Sequence, residues 1–449
     1  MGTNEKNMTA GSPGKLIITF AIPLMLGNIF QQFYTMADTM IVGQVVGVEA
    51  LAAVGAGDWL VWLVLGIMTG ITQGFSILVS QYYGAGEKEN LKCAVAKSYI
   101  MTALLSVIVL AVSEGAVYHV LLFLQTPDNV IDLTMLYLRL IFAGVPIIAA
   151  YNIFAAILRA LGNSRSPLIA MTVAAVINVG LDLLFVAVFG WGVAGAAVAT
   201  VIAQGFSALY CLLVLRKIRD IRLEKEDFYR QPSMSLRLLK LGTPLAIQNV
   251  IISVGGLTVQ YVINGFGFLF VAGFTATNKL YGILEMAAVS YGYAITTYVG
   301  QNLGAKKIER IKKGYHAALV LDLCFAVLAF VVIETLHTQI SSLFLGKDGT
   351  ALAYQVSGDY MRWLGYFFIF MGIKMATDGV LRGLGIMRPF LIANMVNLAI
   401  RLSVALICAP RFGIVFVWLA VPAGWFANFL ISYVALRRSW PTDKEVQSR

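Results

Sequence analysis

Asp38, in the stretch MADTMIVG, lies inside a largely apolar run from Leu16 to Val46. A lone charge in hydrocarbon costs several kcal/mol or takes up a proton, so an acid placed there marks a candidate functional site. A second acid, Asp182, closes the stretch NVGLD in another apolar run, and Asn178 lies one helical turn before it on the same face. Thr200 in GVAGAAVAT and Tyr137 in LYLRL fall at a similar level in their own runs. At 1.5 Å per residue, Asp38 and Asp182 both sit about 8–12 Å below one membrane surface. Two carboxyls, an amide, a hydroxyl and a phenol at one depth can bind a proton or, through their oxygens, a hard monovalent cation such as sodium. The local alternative is that Asp38 merely hydrogen-bonds beside Thr39.

The elements that must position these groups are membrane helices. The chain has 449 residues, 59% hydrophobic and only 12% charged, with mean hydropathy +0.81. Soluble domains carry about 25% charged residues. Twelve apolar runs reach the length that crosses a bilayer, the first at 16–42 and the last at 413–436. The first run is too long for the core of a secretory leader and reads as a span. Four cysteines fall in or beside apolar runs without metal-ligand spacing and read as small core residues.

Charge sets the orientation. Alternate connecting segments and both termini hold 26 Lys and Arg, whereas the opposite loops hold only Lys347 and Arg411. The positive-inside rule therefore places both termini in the cytoplasm, for a multi-pass protein of the inner (cytoplasmic) cell membrane. The net charge of +10 is topogenic, and nucleic acid is not expected as a partner.

The halves repeat at an offset of 220 to 223 residues. ILRALGNSRSPLIA (Ile157 to Ala170) matches VLRGLGIMRPFLIA (Val380 to Ala393), and LYLRL matches DYMRW, pairing Tyr137 with Tyr360 and Arg139 with Arg362. The expected fold is an all-α membrane protein of 12 transmembrane helices, in two pseudo-twofold six-helix lobes around a central cavity. Residues 1–216 would form the first lobe with the cation site, 217–237 a cytoplasmic linker, and 238–449 the second lobe. Asp38 aligns with Val259, Asp182 with Ala405 and Asn178 with Arg401, so the acid set belongs to one half.

MADTMIVG, YLRL, LRALGNSRSP, NVGLD and the twelve-span duplication together resemble the multidrug and toxic compound extrusion (MATE) transporters, over nearly the whole chain. The resemblance implies cation-coupled antiport of organic, cationic or amphipathic compounds out of the cell. It implies a cation site of Asp38, Asn178, Asp182 and Thr200, with Tyr137 nearby and the Ala196 carbonyl as a further ligand. Pro23 matches a proline that bends the first span. Some members carry an acid on span 7, but LAIQNVIISVGGLTVQYVIN has none, which resembles the DinF-like branch and confines the site to the first lobe. No cofactor is expected beyond a coupling ion, proton or sodium, and the same four residues would be its metal ligands if it is sodium.

Other intramembrane charges lie in the second half. Lys374 and Asp378 are spaced i,i+4 and read as an internal ion pair. Glu285 is a candidate for contact with a cationic substrate, or else neutralises Lys279 or Arg401. Tyr34 and Gln32 are further candidates for substrate contact, although in a chain with 12% aromatic residues lipid-facing or core packing is the stronger reading of any one ring. Arg139 and Arg362, present in both halves, read as structural. A flippase for lipid-linked oligosaccharides would share the fold but calls for more Lys and Arg within the spans than the five present. An intramembrane enzyme would need Gly-x-Gly-Asp or acid-rich magnesium motifs, which the chain lacks. The expected partners are the bilayer and a small organic substrate, and the expected state is a monomer.

Overall fold

In a bilayer core the backbone must satisfy its own polar groups, and a chain this apolar does so by helix formation. The computed structural model describes residues 7–124, 126–345 and 350–441, and these contain no β-strand. The helices are α1 (Pro13–Val45), α2 (Val48–Ala85), α3 (Lys88–Phe123), α4 (Asp128–Ala143), α5 (Val145–Ala160), α6 (Arg165–Asp182) and α7 (Gly192–Arg216). Then come α8 (Ser233–Asn264), α9 (Phe268–Gly304), α10 (Ile308–Leu345), α11 (Ala351–Leu384), α12 (Met387–Ser403), α13 (Ala409–Phe412) and α14 (Val415–Arg438). Ten spans are individually long and apolar enough to cross a membrane, and α4 with α5, bent by 46°, makes an eleventh. The 37-residue α9 is long enough to cross but carries Asn278, Lys279 and Glu285 along its length, and it is not among these eleven.

The repeat extends to irregular backbone. Gly47 before α2 and Gly267 before α9 both have strongly positive φ, 119° and 104°, a conformation open to glycine and costly for other residues. A π-helical segment follows α6 at Leu183–Val188, and another follows α12 at Val404–Cys408. Arg139 pairs with Glu114 at 3.7 Å, and Arg362 with Glu334 at 3.6 Å. The recurrent arginines thus have recurrent partners, Glu114 and Glu334, themselves 220 residues apart.

The chain forms two compact units whose limits differ from the expected 1–216 and 238–449. One is built around Ile22–Val250, the other around Met8–Ala21 together with residues from Ile251 onward. The start of the chain joins the second unit because Met8 is fully buried there. Its backbone N–H donates to Gln301 Oε1 at 3.0 Å, and Asn302 Nδ2 donates to its carbonyl at 3.0 Å. The first half of α8 joins the first unit through close backbone approach to α2. A Cβ on Gly70 would meet Leu245 and Ala246, and one on Gly74 would meet Leu241 and Gly242. Asn249 Nδ2 also donates to the Gly66 carbonyl at 2.7 Å.

The connection between α7 and α8 is docked on α3. Lys97 Nζ donates to the Phe228 carbonyl at 2.7 Å, and Lys88 pairs with Asp220 at 2.7 Å. Of the cysteines, Cys93 and Cys211 are buried as expected, but Cys324 is exposed on α10. The outer face of a membrane helix is as apolar as its inner face, so an apolar neighbourhood in sequence does not mean interior.

Filling the α2–α8 approach should be costly. Gly74→Val is expected to destabilise the first unit by about 1–3 kcal/mol through overpacking. Gly115→Ala, where an added Cβ meets nothing within 4 Å, should leave it unchanged. Thermal unfolding of the detergent-purified protein would check the difference.

Candidate functional site

Asp38 belongs to α1, Asn178 and Asp182 to α6, and Thr200 to α7, and the first unit brings all four together. Thr200 Oγ1 donates to Asp38 Oδ2 at 3.1 Å, and Asn178 Nδ2 reaches Thr200 Oγ1 at 3.4 Å. The Asp182 carboxyl neighbours that of Asp38. A hydrogen bond between the two would need a proton on one of them, because carboxylates only accept. Asn178 and Asp182 are fully buried. The local alternative for Asp38 fails on geometry, since the Thr39 hydroxyl donates to the Thr35 carbonyl at 2.9 Å.

One turn further along the same two helices is a second rung. Gln204 Nε2 donates to Tyr34 Oη at 2.9 Å. Tyr34 precedes Asp38 by four residues and Gln204 follows Thr200 by four, so α1 and α7 carry two polar rungs a turn apart. Sequence reading missed Gln204, although its spacing from Thr200 was a usable signal. Tyr34, read as a surface for substrate, is 7% exposed and packed in the apolar core of the first unit. Gln32 on α1 is partly buried, away from both rungs.

Acceptors outnumber donors here. Asp38 Oδ1, Asn178 Oδ1, both oxygens of Asp182 and Gln204 Oε1 are buried with no hydrogen-bond partner among the described residues. Leaving buried polar atoms unsatisfied costs about 1–3 kcal/mol each, more if charged. All five are oxygens, so what they can take is a hydrogen-bond donor, a proton, or a cation that prefers hard oxygen ligands. Among the described residues, no group of three or more His, Cys, Asp or Glu is arranged to hold a metal. Any cation here would rely on the amide and hydroxyl as well as the acids.

Tyr137, on α4, lies within electrostatic range of Asp38, Asp58 and Asp182. Its ring packs on an apolar cluster that includes Val42, Val186 and Ala196. Ala196 is 2% exposed, and its carbonyl belongs to the α7 ladder one turn before Thr200. Pro23 is internal to α1, beside the point where that helix passes from one compact unit to the other. Asp182 is the last residue of α6, and the π-helical segment begins directly after it. Such segments gather at functional sites because they re-aim neighbouring side chains.

The places matching the two acids are filled with hydrocarbon in the second unit. Val259 and Ala405 are buried in one apolar cluster with Tyr360 and Trp418, whose rings stack at 4.2 Å. Glu285 bonds Tyr281 and lies in the field of Arg401, which supports the neutralising reading. The side chain of Lys279 lies outside the described residues. Lys374 Nζ and Asp378 form the expected buried pair at 3.4 Å, and Ser432 Oγ donates to Asp378 Oδ1 at 2.7 Å. A buried acid that sequence reading passed over is Asp322 on α10, 4% exposed. Its carboxyl occupies the space a Cβ on Gly372 would need, and its Oδ2 has no partner among the described residues. The signal was the one that picked out Asp38, an acid in an apolar run.

Comparison with known proteins follows the same lines. A model of the MatE family matches residues 23–184 and again 244–407, one copy in each half. The probable multidrug resistance protein YpnP of Bacillus subtilis is 30% identical over 397 residues, 87% of each chain. A second from that organism, YoeA, is 29% identical, over 94% of this chain and 93% of its own. Among solved structures, a MOP superfamily transporter from Pyrococcus furiosus superposes with a TM-score of 0.90 at 22% identity, covering 98% of both chains. That likeness is one of fold.

The excess of acceptors makes a counter-intuitive prediction. Asp182→Asn removes a buried charge and supplies an N–H to neighbours that lack donors. It should therefore keep or raise thermal stability at pH 8, by about 1–3 kcal/mol, where loss of a structural acid would lower it. Thermal unfolding of both proteins at that pH tests this.

Proposed function

The chain belongs to the MatE family, and on that premise we propose a secondary active exporter that exchanges organic compounds for protons or sodium ions. One observation carries the coupling: five buried oxygens without a donor, gathered from three helices. The B. subtilis relatives are named for multidrug resistance, and the substrate class follows theirs, organic and cationic or amphipathic. The positive-inside charge split supports both termini in the cytoplasm and a cell-membrane location.

The mechanism rests on what two acids in a dry pocket can do. Both cannot stay ionised without a counter-charge, because each desolvated charge costs several kcal/mol and like charges repel. Protonation of either carboxyl supplies the donor that Asp38 and Asp182 lack between them. Sodium would instead draw on Asp38, Asp182, Asn178 and Thr200 together. Either loading removes one of the pocket's two negative charges, relieves their repulsion and allows α1, α6 and α7 to draw together. The irregular backbone after Asp182 and the missing hydrogen bond at Pro23 give α6 and α1 places to yield. Loading from outside favours release of cargo outward, and discharge inward resets the site.

The flippase reading fares worse. Of the five Lys and Arg within spans, Arg139, Arg362 and Lys374 are already paired with Glu114, Glu334 and Asp378. Few remain to meet a pyrophosphate.

In reconstituted vesicles, efflux of ethidium should be driven by an imposed proton or sodium gradient. Asp38→Asn should lower the driven rate about tenfold or more, the scale of a 1–3 kcal/mol coupling. Undiminished, gradient-driven efflux by the variant under both ions would remove Asp38 from coupling.

A further inference from the structure

A cavity of about 760 Å³ opens in the first unit away from the acid pocket, within the 300–1,000 Å³ range of ligand sites. Its walls come from α3, α5 and the end of α7, and it is closed at the basic end of these helices by the docked α7–α8 connection. Most of the lining is apolar or aromatic, with Tyr99, Ile153, Phe154 and Leu212 prominent. Its mouth includes the exposed Ala103 and Val107, which lie about 9 and 15 Å along α3 from Lys97. The cavity therefore opens toward hydrocarbon at one end and toward the basic surface at the other.

Two features mark it as more than a packing gap. Thr102 lines it, is 3% exposed, and its hydroxyl has no hydrogen-bond partner among the described residues. Arg216 and Arg222 stand at its basic rim, and neither is in an ion pair among the described residues. Four of the neighbouring acids are committed elsewhere. Asp220 pairs with Lys88, Glu224 with Lys92 at 3.5 Å, and Glu89 with Arg230 at 3.0 Å. Asp227 accepts from the Glu224 N–H at 2.8 Å. Positive charge is left over beside an oily slot.

We propose that this cavity is a binding site for an anionic phospholipid of the cytoplasmic leaflet. The phosphate would sit on Arg216 and Arg222, a backbone ester or glycerol oxygen would satisfy Thr102, and an acyl chain would lie along Phe154 and Leu212. Basic pockets between membrane helices on the cytoplasmic side hold lipid headgroups for the same reason. A lipid held there would tie the α7–α8 connection to α3. The site uses the membrane orientation proposed above but not the antiport mechanism, and lipid retention tests it whether or not coupling through Asp38 holds.

The test is competitive retention by native mass spectrometry. Purified protein would be exposed to equal amounts of dioleoyl phosphatidylglycerol and dioleoyl phosphatidylcholine. Wild type should retain one phosphatidylglycerol in preference, and Arg216→Gln/Arg222→Gln should lose that preference about tenfold or more, two surface charges' worth. Arg219→Gln/Lys225→Gln removes equal charge from the same connection outside the cavity and should retain it. Ala103→Trp, which fills the mouth, should expel the lipid while melting as wild type does. Full preference in the Arg216/Arg222 variant, or equal loss in the Arg219/Lys225 variant, would overturn the site. Displacement of the lipid by millimolar inorganic phosphate would also overturn it, by showing an anion site with no use for a chain.

Discussion

The first unit is organised around a shortage of donors. In a dry interior a carboxylate needs hydrogen bonds or positive charge, and the cost of having neither exceeds that of most single packing defects. Asp38 receives one bond, from Thr200, and the amide of Asn178 turns its N–H toward the same hydroxyl. Thr200 has only one proton to give and gives it to Asp38, so Asp182 receives nothing from its protein neighbours. An ordinary core would repair this with an added donor or an apolar replacement. Here the imbalance stands, in surroundings otherwise so well packed that Asn178 and Asp182 have no exposed surface. The pocket is left with buried acceptors that its own neighbours do not satisfy.

Holding such a pocket together requires helices that cannot relax independently. The rungs Asp38–Thr200 and Tyr34–Gln204 join α1 to α7 at two successive turns. Through Asn178 and Asp182 the same groups reach α6. A change of charge at Asp38 is therefore passed to all three helices, because these shared bonds tie their side chains to one another. The π-helical segment after Asp182 and the proline in α1 are where the backbone hydrogen-bond ladder is weakest.

Much of this was legible in the sequence because membrane helices leave strong marks. Apolar length gave the spans, and an acid in such a run is conspicuous. Asn178 at i−4 from Asp182 specified a shared face without any tertiary information. Tyr34 had two readings because an aromatic residue near an acid looks the same whether it faces a cavity or the neighbouring helix; its packed setting depends on Gln204, 170 residues away. Cys324 was misjudged because hydropathy does not separate lipid-facing from protein-facing surface. The exchange of Met8–Ala21 into the second unit depends on Gln301 and Asn302 receiving the backbone of Met8. No local pattern announces a contact of that range. Asp322 shows a different failure: the signal was present and the paired-acid criterion passed over it.

Duplication separates what the fold needs from what the site needs. The glycines before α2 and α9, the π-helical segments and the Arg–Glu pairs occur in both units. They are conditions of building six spans of this shape, whatever the unit does. The acids are not shared. Where the first unit holds Asp38 and Asp182, the second holds Val259 and Ala405 under a stacked Tyr360 and Trp418. The same kind of backbone irregularity therefore packs against hydrocarbon in one copy and begins directly after a carboxyl in the other. The π-helical turn cannot itself be the source of chemistry, since the second copy has it without the acid. It is an irregularity common to both units, and only in the first does an acid, Asp182, stand directly before it.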